Sequence, residues 1–316
     1  MTLQTATREQ PVRATDQVLH KRAIPDLQET AWRLSRDILE MTTEAGSGHP
    51  SSSLSAIDVL TGLYFGGVLR YTPDHPAWPE RDRFILSKGH GAPALYAILA
   101  EAGYFDKKML ATLRQIGSPV EGHPNMRALP GIEASTGSLG QGLSIGLGHA
   151  LAAFVDGRDY RVYTMIGDGE SDEGQIWEAA MCAAKYQAGN LTAILDYNQF
   201  QQTASVKRVM PSLAPVVDKW EAFGWYVMEI DGHNMTQIMD ALRVATTVPQ
   251  QPQMIIAHTH KGRGLSPFEK DDTNRKHGEA LKEEALATAL AELDKMRYWN
   301  GFGDITPVIT PDDKNP

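Results

Sequence analysis

Two apolar runs, each ending on a side chain that offers a hard oxygen, constrain the fold of this chain more than any other feature. Residues 161–166 (Arg-Val-Tyr-Thr-Met-Ile) stop at Gly167-Asp168-Gly169-Glu170. A small-residue stretch at helical spacing covers about 173–188 and closes at Gly189-Asn190. Residues 191–195 (Leu-Thr-Ala-Ile-Leu) then run into Asp196-Tyr197-Asn198. Strand, turn, helix and strand in that order predict a parallel pair joined by a right-handed crossover, with both strand ends on one edge of the sheet. Asp168 and Asn198 are then expected within reach of one ion.

The chemistry that suits such a pair is Mg²⁺ bound to a diphosphate. Magnesium takes hard oxygens in octahedral geometry and leaves several positions to phosphate and water. One carboxylate, one amide oxygen and a carbonyl leave room for two phosphate oxygens and a water. Gly167 and Gly169 allow a sharp turn and a close approach of backbone to phosphate. Gly-Asp-Gly alone is an ordinary turn; the strand context and the spacing to Asn198 are what point to a metal–diphosphate site. An EF-hand is excluded, because the sixth position from Asp168 is Glu173 rather than Gly and the twelfth is Ala179.

At these residues the chain resembles the thiamine diphosphate enzymes, whose binding motif opens with Gly-Asp-Gly and closes at an Asn. Within them it is similar to the transketolases over about residues 40–278, and in length to the N-terminal subunit of a split transketolase. The resemblance implies a doubly wound, mostly parallel α/β sheet with helices on both faces and the site at the carboxyl ends of the strands. It implies Mg²⁺ on Asp168, Asn198 and the main-chain carbonyl of Phe200. Gly167, Gly169, Glu170 and Lys261 are expected along the diphosphate, Gly137 and Leu139 against the aminopyrimidine ring, and Glu173 linking the cofactor sites of two subunits. Gly48-His49-Pro50, Gly89-His90-Gly91, Gly122-His123-Pro124 and His277-Gly278 match four loop-borne catalytic histidines, of which His90 and His277 also reach the cofactor. Ser51 stands where the family commonly has Gly, a departure beside the site. Without the resemblance, a histidine between Gly and Pro at a helix start reads more simply as a capping or surface residue.

The implied reaction moves a two-carbon ketol unit from a ketose to an aldose, and histidine titrates in the range that proton transfer to hydroxyls requires. Family members place a carboxylate beside the pyrimidine nitrogen N1′ from a second domain. No stretch here resembles that domain, so a C-terminal partner subunit in an α₂β₂ assembly is expected. Three alternatives share part of the pattern. A component of another two-subunit thiamine diphosphate enzyme, such as a 2-oxo acid dehydrogenase, shares the metal motif but not the histidine-bearing loops. A Mg²⁺-dependent phosphohydrolase predicts phosphate release without thiamine, and a regulatory subunit predicts cofactor binding without turnover.

The remainder of the 316 residues is consistent with a cytoplasmic enzyme. A net charge of −9 argues against a general nucleic-acid surface. No apolar run approaches the ~20 residues of a membrane span. Cys182, the single cysteine, lies among alanines and reads as a small packed residue. Residues 1–25 are expected to form a flexible arm without a signal-peptide core; a transit peptide is opposed by Glu9 and Asp16. The domain is expected to span 26–298, with a tail at 299–316.

Along the domain, Leu27, Ala31, Leu34, Ile38 and Met41 define a helical face with Asp26 as N-cap. Serines 51–53 are expected to cap a helix from about Leu54. Strands are expected at the run before Ser87, at 224–230 and at 253–257, and helices at 94–102, 107–115, 235–246 and 279–295. Glycines 140, 142, 146 and 148 are expected to let the helix that starts near Leu143 pack closely beneath the cofactor. The loop before it is not Gly-x-Gly-x-x-Gly, and a Rossmann site is not expected. His258-x-His260 lacks a third ligand, so cation placement at a strand end is expected there rather than a metal site.

Overall fold

The computed structural model describes residues 19–202, 204–269, 277–310 and 313. In chain order the strands are β1 (Leu19–Lys21), β2 (Gly66–Arg70), β3 (Arg83–Leu86), β4 (Val162–Gly167), β5 (Leu191–Tyr197), β6 (Tyr226–Asp231) and β7 (Gln253–His258). The helices are α1 (Ile24–Glu44), α2 (Pro50–Phe65), α3 (Ala92–Ala102), α4 (Gln141–Val155), α5 (Gly174–Lys185), α6 (Val206–Val209), α7 (Val216–Ala222), α8 (Met235–Ala245), α9 (Ser266–Glu269) and α10 (Glu283–Asp294). The main sheet runs β3-β4-β5-β7-β6, and every pair in it is parallel. Among the described residues no helix is long and apolar enough to cross a membrane.

Both faces of the sheet are covered, which is why its strands read as continuous apolar runs. Alternate residues point to opposite layers: Tyr163 and Met165 of β4 join the core under α1, α2, α3, α8 and α10. Val162 and Ile166 of the same strand join the core under α4, α5 and α7. Register aligns the carboxyl ends, with Gly167 beside Asp196, Tyr197 beside His258, and Asp231 beside His258. The segments leaving β3, β4, β5, β7 and β6 therefore emerge together along one edge.

Several boundaries differ from those expected. The α1 cap position is Ala23, and Asp26 lies in the first turn, where its carboxylate still faces the helix's positive end. α2 starts at Pro50 with His49 in the cap position, so Ser51, Ser52 and Ser53 are buried helical residues rather than caps; proline tolerates the first helical turn because its missing N–H would be unpaired there. The expected helix at 107–115 is a 3₁₀ segment, Lys107–Thr112. α5 is shorter than 173–188, with Glu173 at its cap.

Neither chain end matches its expected division. Of the expected arm, residues 1–18 lie outside those described, but Leu19–Lys21 pairs antiparallel with β2. The expected tail packs on the sheet. Val308 bridges Glu229, the Trp299 ring lies tilted against His233 (5.4 Å between centroids), and Gly303 N–H donates to Asp231 Oδ2 at 2.8 Å.

Candidate active site

Each segment that leaves the sheet edge delivers one part of a single site. After β4 comes Asp168, 2% exposed, which caps the short turn Gly169–Asp172. Its Oδ1 accepts from Gly169 N–H at 2.8 Å, while Oδ2 is buried with no hydrogen-bond partner. Burial first, and then the Asp196 carboxylate, push this carboxyl up to about 7. A buried carboxylate oxygen without a donor is costly unless a cation completes it. After β5 comes Asn198, whose Oδ1 accepts from Phe200 N–H at 3.1 Å, fixing the amide oxygen and the Phe200 backbone together. Gln199 between them adopts the left-handed region (φ 68°) to make that turn.

Among the described residues no three His, Cys, Asp or Glu side chains are grouped to hold a metal by themselves. A cation at Asp168 and Asn198 therefore needs oxygens from a ligand, as a Mg²⁺–diphosphate pair supplies.

Two buried polar networks shape this edge, and neither was anticipated. Glu170 holds three segments at once. Its carboxylate accepts from Gly140 N–H (2.9 Å), from Gly167 N–H (3.1 Å) and from Ser87 Oγ, and Ser87 Oγ in turn accepts from Gly142 N–H at 3.0 Å. The second network centres on Asp196. Burial raises its carboxyl, but the Lys88 ammonium paired with it and hydroxyls of Ser55 and Thr259 outweigh burial and hold it below the ordinary value. Lys88 Nζ also donates to Ser52 O at 3.0 Å and is 1% exposed, so its charge acts on the site through the field rather than by contact.

Three of the four expected histidines converge. His49 caps α2, His90 lies in the 3₁₀ turn Gly89–Gly91 after β3, and His277 precedes α10. Their ring centroids form a triangle of 5.3, 5.1 and 5.1 Å. Lys261, after β7, has its Nζ 2.8 Å from His277 Nδ1 and 5.8 Å above the Phe200 ring centre. His123 is exposed and stands beside this triangle, against Gly137: a Cβ at Gly137 would lie 3.0 Å from its ring.

Burial is the largest cause lowering each histidine. Then Arg114, His123, Lys261 and Lys88 bring His49 to about 4, and Lys261, His49 and Lys88 bring His277 to about 3. His90 is held well below its ordinary value by burial and Lys88, and His123 is lowered by burial and Arg114. All four rings are neutral near pH 7.

A family model, transketolase, thiamine diphosphate binding domain, matches residues 28–296. The chain belongs to the transketolase family. It is 46% identical over 270 residues to the 6-deoxy-6-sulfo-D-fructose transketolase subunit SqwG of Clostridium sp. (strain MSTE9), covering 85% of this chain and 97% of that one. It is 43% identical over 232 residues to an apulose-4-phosphate transketolase subunit of Phocaeicola vulgatus, covering 73% and 82%. Human transketolase matches at 40% over 268 residues, 84% of this chain but 42% of that protein, so the chain spans less than half of it. The transketolase structure from Campylobacter jejuni superposes with a TM-score of 0.80 at 30% identity, over 93% of this chain and 45% of that one. Thiamine diphosphate is thus the cofactor of this domain.

As a transketolase site, the edge fits the diphosphate end of that cofactor: an unpartnered carboxylate oxygen for a metal, flanking glycines, and the cations Lys88 and Lys261. Leu139 is half-buried beside Gly140, and Glu173 is exposed at the start of α5. Gly140 adopts φ +83°, and a Cβ there would approach Glu173 Cβ to 2.8 Å. Gly142 and Gly146 are packed on Ser87 and Thr164 as expected, but Gly148 faces open space, so the close packing ends two residues earlier than expected.

Both rings of the His258-x-His260 pair are engaged by carboxylates. His258 pairs with Glu229 at 2.9 Å and His260 with Asp304. Behind it lies a third unanticipated network. Arg263 donates to both Asp58 oxygens (2.8 and 2.9 Å), and His233 Nδ1 lies 2.8 Å from Asp58 Oδ2. His260 N–H donates to His233 Nε2 at 2.9 Å, so His233 carries its proton on Nδ1, facing Asp58. Together they lock the Lys261–Gly264 turn, in which Gly262 and Arg263 are left-handed. A lone aspartate in the otherwise apolar stretch of α2 was the sequence signal for this network.

Proposed function

We propose that this chain is the diphosphate-side subunit of a transketolase that, with a second polypeptide, moves a two-carbon ketol unit from a ketose or ketose-phosphate donor to an aldose acceptor. One observation carries the reading: an unpartnered buried carboxylate, Asp168, on the same sheet edge as a triangle of neutral histidines. When bound, thiamine diphosphate supplies the electron sink that carries the two-carbon unit. Asp168, Asn198 and the Phe200 carbonyl would hold Mg²⁺, and Lys261 would balance the diphosphate charge.

The histidines hold and move protons. Lys261 can only donate, so His277 accepts at Nδ1 and carries its own proton on Nε2 as a donor to ligand. Neutral His49 and His123 are competent to accept protons from sugar hydroxyls. A phosphohydrolase would need the metal site and has no use for the triangle. The two relatives matched over 97% and 82% of their own length are both named as subunits, which supports a two-chain enzyme. In an α₂β₂ assembly the exposed Glu173 would link cofactor sites.

The test combines the purified chain with Mg²⁺, thiamine diphosphate, a ketose donor and an aldehyde acceptor, with and without a candidate C-terminal subunit. Ketol transfer is expected only when both polypeptides are present. Full turnover by this chain alone overturns the two-chain reading. Phosphate release from simple phosphate esters without thiamine diphosphate overturns the transferase reading.

A further inference from the structure

Arg114 is a non-glycine residue in the left-handed region (φ 60°), a conformation that costs an L-residue about 1–2 kcal/mol. Its surroundings show what that conformation achieves. Arg114 N–H donates to Val120 O at 2.9 Å, closing the loop that leads to Gly122-His123. Ser118 braces the same loop, accepting from Val120 N–H at 3.1 Å and sharing a 2.7 Å hydrogen bond with Thr112. The guanidinium turns the other way and donates from Nη1 to Ser47 Oγ at 2.8 Å, two residues before His49. It also lies flat on Gly122: a Cβ there would sit 3.1 Å from Nε and 3.3 Å from both Cζ and Nη2. The neighbouring Leu113 packs toward Gly48, 3.8 Å from where that residue's Cβ would be. One side chain thus touches the residues flanking two of the four loop histidines, which lie far apart in sequence.

We propose that Arg114 is a positioning residue that splints the His49 loop to the His123 loop and sets the spacing of these two proton-transfer groups. The roles of the two histidines rest on the transketolase reading above; the splint itself rests on the contacts just given. A fixed cation in this place also has an electrostatic consequence. The charged and titratable groups facing His49 are Arg114, His123, Lys261 and Lys88, with the His90 and His277 rings beside it; Arg114 is the leading charge among them. After burial, its charge also lowers His123. The splint therefore adds to burial in keeping both bases neutral while it holds them in place.

Two variants separate these effects. Arg114→Gln removes charge and fork, and Arg114→Lys keeps the charge but loses the planar fork that spans both loops. In the two-chain enzyme, both should lower kcat/KM about tenfold or more through misplacement, with thiamine diphosphate affinity within about twofold of the parent because neither histidine loop holds the diphosphate. NMR titration of the ligand-free chain should show the His49 midpoint rising by about 0.5–1 unit in Arg114→Gln and staying put in Arg114→Lys. If Arg114→Gln does not fold, Ser47→Ala cuts the same bond from its other end and should lower kcat/KM about threefold at unchanged cofactor affinity. Unchanged kcat/KM together with an unmoved His49 midpoint overturns the proposal, as does a loss of turnover fully accounted for by weaker cofactor binding. The titration stands without any turnover, so a parent enzyme lacking ketol transfer would count against the proposed function and leave the splint to be judged by NMR.

Discussion

Asp168 destabilises the fold that positions it. Its carboxyl sits at about 7 in the folded chain against an ordinary 3.8, so below 3.8 it is neutral in both states and costs nothing. Between 3.8 and about 7 the unfolded carboxyl is ionised while the folded one keeps its proton, so the penalty grows across that window and levels off above 7 at no more than about 4 kcal/mol. A bound cation removes that penalty, which makes the residue a metal ligand in waiting. Asp168→Asn is therefore expected to raise the melting temperature of the ligand-free chain at pH 8 by several degrees, and to leave it nearly unchanged at pH 4. The same variant should lose the Mg²⁺-dependent stabilisation by thiamine diphosphate. Differential scanning calorimetry at the two pH values checks both, and a variant that melts lower than the parent at pH 8 would contradict the burial argument. Asp168 and Asn198 were legible in the sequence because each directly follows a strand and their spacing is that of one crossover. Arg114 and Lys88 have their partners fixed by the approach of distant segments, and no local pattern marks that approach.

Helix α4 separates close packing from intrinsic helix preference within one element. Gly142 lies in its first turn and Gly148 in its interior, where alanine is favoured over glycine by about 1 kcal/mol. At Gly142 an added Cβ would overlap Ser87, whose Oγ is already engaged by Glu170 and by Gly142 N–H. At Gly148 it would meet nothing within 4 Å. Gly148→Ala should stabilise the isolated chain by about 0.5–1 kcal/mol, whereas Gly142→Ala should destabilise it by about 1–3 kcal/mol and weaken cofactor binding as the Glu170 network shifts. Urea unfolding measures both signs; equal shifts in one direction would show that packing does not decide here. The central strands and crossover helices were legible because burial on both faces gives long apolar runs. β1 and β2 were not, since a three-residue strand pairs with Gly66–Arg70, and nothing in Leu19–Lys21 marks it as extended. The start of α2 was misplaced because Gly48-His49-Pro50 reads as loop until proline is allowed its place in the first turn.

At the scale of the whole molecule, five strand ends deliver their functional groups to one edge, and the groups come from segments that span most of the chain. Lys88 follows β3, Asp168 follows β4, Asn198 follows β5, Lys261 follows β7 and His233 follows β6. Such an edge is stiff, because each segment is held by a buried polar group: Glu170, Asp196 or Asp58. It is also cationic where the diphosphate would lie, and the histidines there are neutral because burial and the nearby cations lower them. In the proposed two-chain enzyme the cofactor touches both polypeptides, so its binding and their association must strengthen each other by the same factor. A coupling of about 5–150-fold, the usual range for linked sites, is expected. It is measured by titrating thiamine diphosphate with Mg²⁺ into this chain alone and into the saturated complex, and separately by titrating partner into this chain with and without cofactor. The two ratios must agree. In Asp168→Asn, where the cofactor loses its metal, the partner's affinity should become indifferent to thiamine diphosphate while its affinity without cofactor stays that of the parent. A partner that binds equally well with and without cofactor to the parent chain would show that the cofactor does not bridge the two polypeptides.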